Sequence, residues 1–285
     1  MATRRRGTAV CLETGQKKVF AAALEWPGWC RSGKTGDEAL DALAEYLPRY
    51  VIVADRAGIA LPKNVADAFD VVERLDGDAS TNFGVPGAVA RADAEPVTRA
   101  AATRLAALVT GAWTVFDEVT EVTPAELRKG PRGGGRDRDK MVGHVLEAEA
   151  AYARKIGIKM KPPAIDDMEG IEALREAIAT ELASPSDGSA PVERGWPHRY
   201  AARRIAWHVL DHAWEMQDRT EPRSDLPSGL SAPARRALGD AGHTTLEGLV
   251  GVSERDLLLL HGMGPKAVRL LREALAERKL TLAGD

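Results

Sequence analysis

Three of the six histidines in this 285-residue chain, His144, His208 and His212, lie in segments whose apolar residues repeat at helical spacing. His208 and His212 are i and i+4. Four residues advance a helix by about 400°, so the two rings stack on one face with Cβ atoms about 6 Å apart. Imidazoles placed in this way can ligate one cation, each at roughly 2.0–2.1 Å. An HxxxH pair alone is common by chance. The third histidine gives the pair its value, because His144 sits mid-segment beside Val145 and Leu146 on a separate stretch. Packed helices bring such residues together at a bundle core, where metal sites of this type are built.

The neighbours of these histidines bear on what a bound ion would do. Glu147 is i+3 from His144, Glu215 is i+3 from His212, and Arg204 is i−4 from His208. A carboxylate at such a position orients an imidazole through its second nitrogen or accepts a proton from a nucleophile. An arginine there can hold an anionic substrate group. All three also fit a solvated or ion-paired helix face. Trp207 and Trp214, seven apart, read as core packing. His198, His243 and His261 have no partner at ligand spacing and read as loop or cap residues.

Four amphipathic helices are expected to position the histidines, over 95–118, 137–156, 170–182 and 198–219. Long amphipathic segments joined by loops predict a four-helix bundle. The first has Leu105, Leu108, Val109, Ala112 and Val115 or Phe116 on its buried stripe. The second has Met141, Val145, Ala148 and Tyr152. Thr123-Pro124-Ala125-Glu126 has the spacing of a capping box and predicts a further helix start. Residues 128–140 are glycine-rich and carry Arg128, Lys129, Arg132, Arg136, Arg138 and Lys140. That stretch fits a solvated loop, or a collector of anionic substrate or phosphate.

Ahead of these helices, Val10–Leu12 and Val19–Leu24 read as strands around a polar turn. Trp26-Pro27-Gly28-Trp29 ends the second. Thr35 and Glu38 form a capping box before a helix bearing Leu40, Leu43 and Leu47. Phe69–Glu73 is a further strand candidate, and 78–97 reads as a linker. Beyond 226, short helices are expected to open at Ser231, Thr244 and Ser253. The last follows His261-Gly262-Met263-Gly264-Pro265, where Pro265 occupies the first helical position.

Three resemblances attach to these stretches. Residues 137–149, with His144, and 203–215, with His208 and His212, resemble the DinB-like (YfiT-like) superfamily over about 95–222. The resemblance implies a four-helix bundle in which His144, His208 and His212 bind a divalent metal such as zinc or nickel. It also implies metal-dependent hydrolysis or transfer, with a low-molecular-weight thiol as a possible cofactor. Three such ligands leave coordination positions open. Ala22-Ala23-Leu24-Glu25-Trp26-Pro27-Gly28-Trp29-Cys30, with Gly33-Lys34-Thr35 and Glu38-Ala39-Leu40, resembles the HicB-like module. In toxin–antitoxin pairs that family neutralises an RNA-cleaving partner. Residues 230–280 resemble the helix-hairpin-helix domain that closes the bacterial RNA polymerase alpha subunit. That likeness implies phosphate contact through the amides after Gly262 and Gly264, aided by Lys266 and by Arg269 on the same helix side.

The expected fold is therefore a multidomain α+β protein, mostly α: an α/β module at 1–78, a four-helix bundle at 95–222 and a helix-hairpin-helix domain at 226–282. Net charge is −3, so the whole chain is not a polycation built for nucleic acid. From 224 to 285 there are eight Lys or Arg and eight Asp or Glu, so DNA contact there should be weak and salt-sensitive. A protein partner or a homodimer is the competing use of that module. Two cysteines, Cys11 and Cys30, exclude a disulfide framework and fit a reduced, cytoplasmic setting. No apolar run is long enough for a membrane span, and the basic start lacks the apolar stretch of a secretory signal.

Overall fold

The computed structural model describes residues 7–129, 135–220, 225–227 and 229–284. It is mostly helical with one small sheet, and it divides into two compact units, Met1–Arg219 and Thr220–Asp285. No helix among the described residues is long and apolar enough to cross a membrane.

The sheet of the first unit has the order β3-β2-β1-β4, from β1 (Thr8–Thr14), β2 (Val19–Ala23), β3 (Cys30–Gly33) and β4 (Phe69–Asp76). β1 pairs antiparallel with β2 and parallel with β4, and β2 pairs antiparallel with β3. A register shift between Val10 and Cys11 marks a bulge against β4. β2 is buried throughout, which explains its unbroken apolar run. Val10, Leu12, Val19, Ala21 and Ala23 point into the main core. Cys11, Phe20, Ala22 and Cys30 point the other way, against Trp207 and Ala90.

Thr35 caps α1 (Gly36–Glu45) by accepting from Glu38 N. The Glu38 carboxylate reaches Lys34 N at 2.7 Å instead of the cap's own amide. The expected single helix is two, because α2 (Leu47–Arg56) starts afresh with Pro48 in its first turn. The 78–97 stretch is not a linker. Asp78 caps α3 (Ala79–Phe83), a 3-10 turn follows at Arg91–Ala94, and side chains tie the stretch down on both sides. Buried Glu13 accepts from Thr81 Oγ1 at 2.6 Å, Gly87 N at 3.0 Å and Ala88 N at 2.9 Å. Asp93 accepts from Arg203 Nε at 2.9 Å and Nη2 at 2.5 Å. Gly, Ala and Pro signal irregular backbone, and polar anchors far away in sequence decide whether such backbone is held.

The four long helices are α4 (Arg99–Val122), α5 (Arg138–Lys155), α6 (Met168–Leu182) and α7 (His198–Arg219). α4 and α5 each pack against both α6 and α7, and the apolar stripe expected of α4 is buried. No helix starts at the Thr123 box over the described residues 124–129. Thr123 is the C-cap of α4, and its hydroxyl is already committed backward to Val119 O at 2.6 Å. α7 is buried on most sides because it is sandwiched between the sheet and α5.

The second unit has its own core, built on Leu238, Leu249, Leu257, Leu271 and Leu275. Ser231 caps α8 (Ala232–Asp240), Ser253 caps α9 (Glu254–Leu259), and α10 (Pro265–Glu277) begins at its proline. The start expected at Thr244 yields only a 3-10 turn at Glu247–Leu249, with Thr245 Oγ1 accepting from Gly248 N.

Candidate metal centre

Trp207 and His208 are adjacent on α7, so their side chains diverge by about 100°. The Trp207 indole meets Phe20 of the sheet edge-on at 6.2 Å. His208 therefore faces α5, with His212 one turn further on the same side. His144 projects from α5 to meet them. Ring centroids lie 4.7 Å apart for His208 and His212, and 5.1 Å for His144 with each of the other two. One ligand atom from each of the three lies within 4.8 Å of the others, the one such group of His, Cys, Asp or Glu among the described residues. His208 Nε2 and His144 Nε2 are 3.3 Å apart. Two nitrogens at roughly 2.0–2.1 Å from a tetrahedral ion would be separated by about 3.3–3.4 Å, so this edge already has ligand spacing.

The electrostatics favour the neutral, ligating form of His144 and His208. Burial lowers the pKa of His208 well below its ordinary value, helped by His212, His144, Arg204 and Arg136. Its Nδ1 is buried with no hydrogen-bond partner among the described residues, and it carries the proton in the neutral form whose Nε2 is free to ligate. Burial also lowers the pKa of His144, with Arg136 and His212 adding to the effect and Glu147 and Glu215 opposing it.

The three flanking residues do different things. Glu215 Oε2 lies 3.1 Å from His212 Nδ1, which leaves His212 Nε2 for an ion. Its other oxygen accepts from Arg219 Nη1 at 2.7 Å. The His212 bond, then Arg219, hold the Glu215 carboxyl below its usual range against the opposing effect of burial. Arg204 is committed: Nη1 donates to Pro86 O at 2.8 Å, Nη2 to Tyr152 Oη at 3.3 Å, and the guanidinium lies over the Trp207 ring at 4.7 Å. Tyr152 in turn meets His208 edge-on at 5.6 Å. Glu147 is exposed, and among the described residues it has no hydrogen bond or ion pair.

Sequence reading missed a buried charge on α5. Glu149 accepts from Trp113 Nε1 at 2.7 Å and faces Arg175 Nε at 3.4 Å, while Arg175 also binds Asp117 at 2.8 Å. Burial pushes the Glu149 carboxyl up, and Arg175 and the indole N–H pull it down. A carboxylate one turn beyond Val145, on the apolar stripe, was the available signal.

In the second unit, Gly262 has φ +102°, a left-handed turn that suits glycine, and Gly264 is the N-cap of α10. Lys266 and Arg269 are exposed on α10, but Arg269 faces Glu273 at 3.8 Å and Arg272 pairs with Glu254 at 3.0 Å.

No known protein family matches the chain, and no curated protein or solved structure matches it either.

Proposed function

We propose that this chain is a metal-dependent hydrolase or group-transfer enzyme of the DinB-like type, working from the His144, His208 and His212 centre on a four-helix bundle. The observation that carries the reading is the convergence of three imidazoles, two of them held neutral by burial, with ligand atoms within 4.8 Å of one another and one pair at 3.3 Å. A divalent ion bound there, zinc or nickel, supplies a Lewis acid, and imidazole nitrogen suits either. Glu215 fixes the tautomer and direction of His212, and Arg219 fixes Glu215. Glu147, exposed one turn from His144 and without a partner among the described residues, receives the proton of the attacking nucleophile, a water or a low-molecular-weight thiol.

Elemental analysis of purified wild type, His208→Ala and His212→Ala tests the centre. Stoichiometric metal in wild type and loss in both variants is expected; equal low content in all three contradicts the reading. Turnover of activated esters, with and without added thiol, tests the chemistry. Glu147→Gln should keep its metal and lose roughly a hundredfold in rate. An unchanged rate removes Glu147 from that role.

A second proposal, a DNA-associated regulator or adaptor, is supported by the Gly262 turn ahead of α10 and by exposed Lys266. The neutral charge of this unit predicts weak binding that disappears between about 50 and 200 mM salt. A salt-titrated duplex assay with Lys266→Glu decides. Absence of binding at low salt, or no response to the substitution, removes it.

A further inference from the structure

Arg128, ahead of α5, is fastened to Arg219, a side chain that also reaches the metal centre. Arg219 Nε donates to Arg128 O at 2.9 Å, and Arg128 N donates back to Arg219 O at 3.0 Å. Arg128 Nη2 donates to Asp218 O at 2.7 Å. The same Arg219 guanidinium donates through Nη1 to Glu215, the carboxylate that holds His212. Gly135 closes the arrangement from the other side. Its φ is +114°, a conformation that suits glycine, and a Cβ there would lie 2.6 Å from Arg219 Nη2, the tip of that side chain. The chain at 135–137 thus crosses directly beside the His212–Glu215–Arg219 relay before α5 begins.

Arg136 is in that crossing. The other described cations nearby are mostly committed: Arg128 to Asp218 O, Lys129 to Asp137, and Arg138 to Thr123 O at 2.9 Å and Asp139 at 2.7 Å. Arg136 is exposed and has no partner among the described residues, and its positive charge acts on both His144 and His208. Lys140 is also exposed, one turn ahead of His144 on α5. Arg204 already donates to Pro86 O and Tyr152 Oη, which leaves it fewer donors for an anion than Arg136. Arg132 lies outside the described residues.

We infer that the 135–137 crossing is the anion-receiving wall of this site: the substrate carries an oxyanion, a carboxylate or phosphate group, which Arg136 binds beside the three imidazoles. The inference rests on the metal-centre reading and adds the substrate's charge class to it. A planar guanidinium with no partner among the described residues is suited to paired oxygens.

The test uses the full chain loaded with cobalt(II), whose visible bands report ligands entering the metal's open positions. Inorganic phosphate is titrated into wild type, Arg136→Gln and Lys140→Gln. Wild type should show a saturable spectral change. Arg136→Gln should bind cobalt as wild type does and bind phosphate roughly tenfold more weakly, or worse. Lys140→Gln should match wild type in both. Normal cobalt uptake with no phosphate response, or with equal phosphate affinity in wild type and Arg136→Gln, overturns the anion wall and leaves the metal centre standing. Failure of wild type to take up cobalt overturns the metal centre, and the anion wall with it.

Discussion

At the scale of single residues, the centre depends on groups that fix an imidazole as much as on the imidazoles themselves. Glu215 is bonded on one side to His212 and on the other to Arg219, so it is a positioning residue. Glu215→Ala should weaken metal binding by about 10–100-fold without abolishing it, as measured by competition with a chromophoric chelator. An unchanged affinity would show that His212 needs no such support. The depressed imidazoles also set a pH dependence for the metal-free protein. His144 and His208 resist protonation in the fold, whereas in the unfolded chain they take up protons from about pH 6.5 downward. The unfolded state then binds more protons, so stability falls as pH drops below that value and is flat with respect to these groups above it. Urea midpoints at pH 7.5 and 5.5 should differ in that direction, and the difference should shrink in His208→Gln. An identical difference in the variant would mean that His208 is not the source. The histidines were legible because spacing is a local property. Arg219 and Tyr152 were not, because their roles appear only when Arg128 comes to lie against Arg219, and Pro86 and Tyr152 against Arg204.

At the scale of elements, helix periodicity located α4 to α7 to within a few residues, because each carries a long apolar stripe. Short elements were less legible. β3 holds only Cys30–Gly33, and it exists because Ala22 of β2 offers Cys30 a partner. The Thr123 box failed because a hydroxyl can bond backward along the helix that it ends as readily as forward. Glu149 tests how the helices are held together. Its removal leaves the Trp113 N–H unpaired and strands part of the Arg175 charge, although Asp117 still binds that guanidinium. Breaking a buried pair from one side costs about 3–5 kcal/mol, and the Asp117 contact places Glu149→Ala near the lower end, at roughly 3 kcal/mol. Urea denaturation reads this as a lower midpoint. A change below about 0.5 kcal/mol would mean that the network is a solvated one.

At the scale of the whole molecule, the sequence passes from long helices to short ones where the first unit ends, at Arg219. It did not show that the N-terminal sheet and the four long helices belong to one unit. That follows from both faces of the sheet being covered, a property of distant partners such as Trp207 and Phe20. The division has a spectroscopic consequence. All six tryptophans, Trp26, Trp29, Trp113, Trp196, Trp207 and Trp214, lie in the first unit. Tryptophan fluorescence therefore follows that unit alone, while far-UV circular dichroism follows both. The two probes should give different urea curves, and adding metal should shift only the fluorescence-detected one. Coincident curves that shift together would show the chain unfolding as one cooperative body. The most direct measurement of the central claim is X-ray absorption at the metal edge of the zinc-loaded chain. It should show one zinc per chain with three imidazole nitrogens at about 2.0–2.1 Å and a remaining oxygen or nitrogen donor. Substoichiometric zinc, or a shell with fewer than three imidazoles, would contradict it.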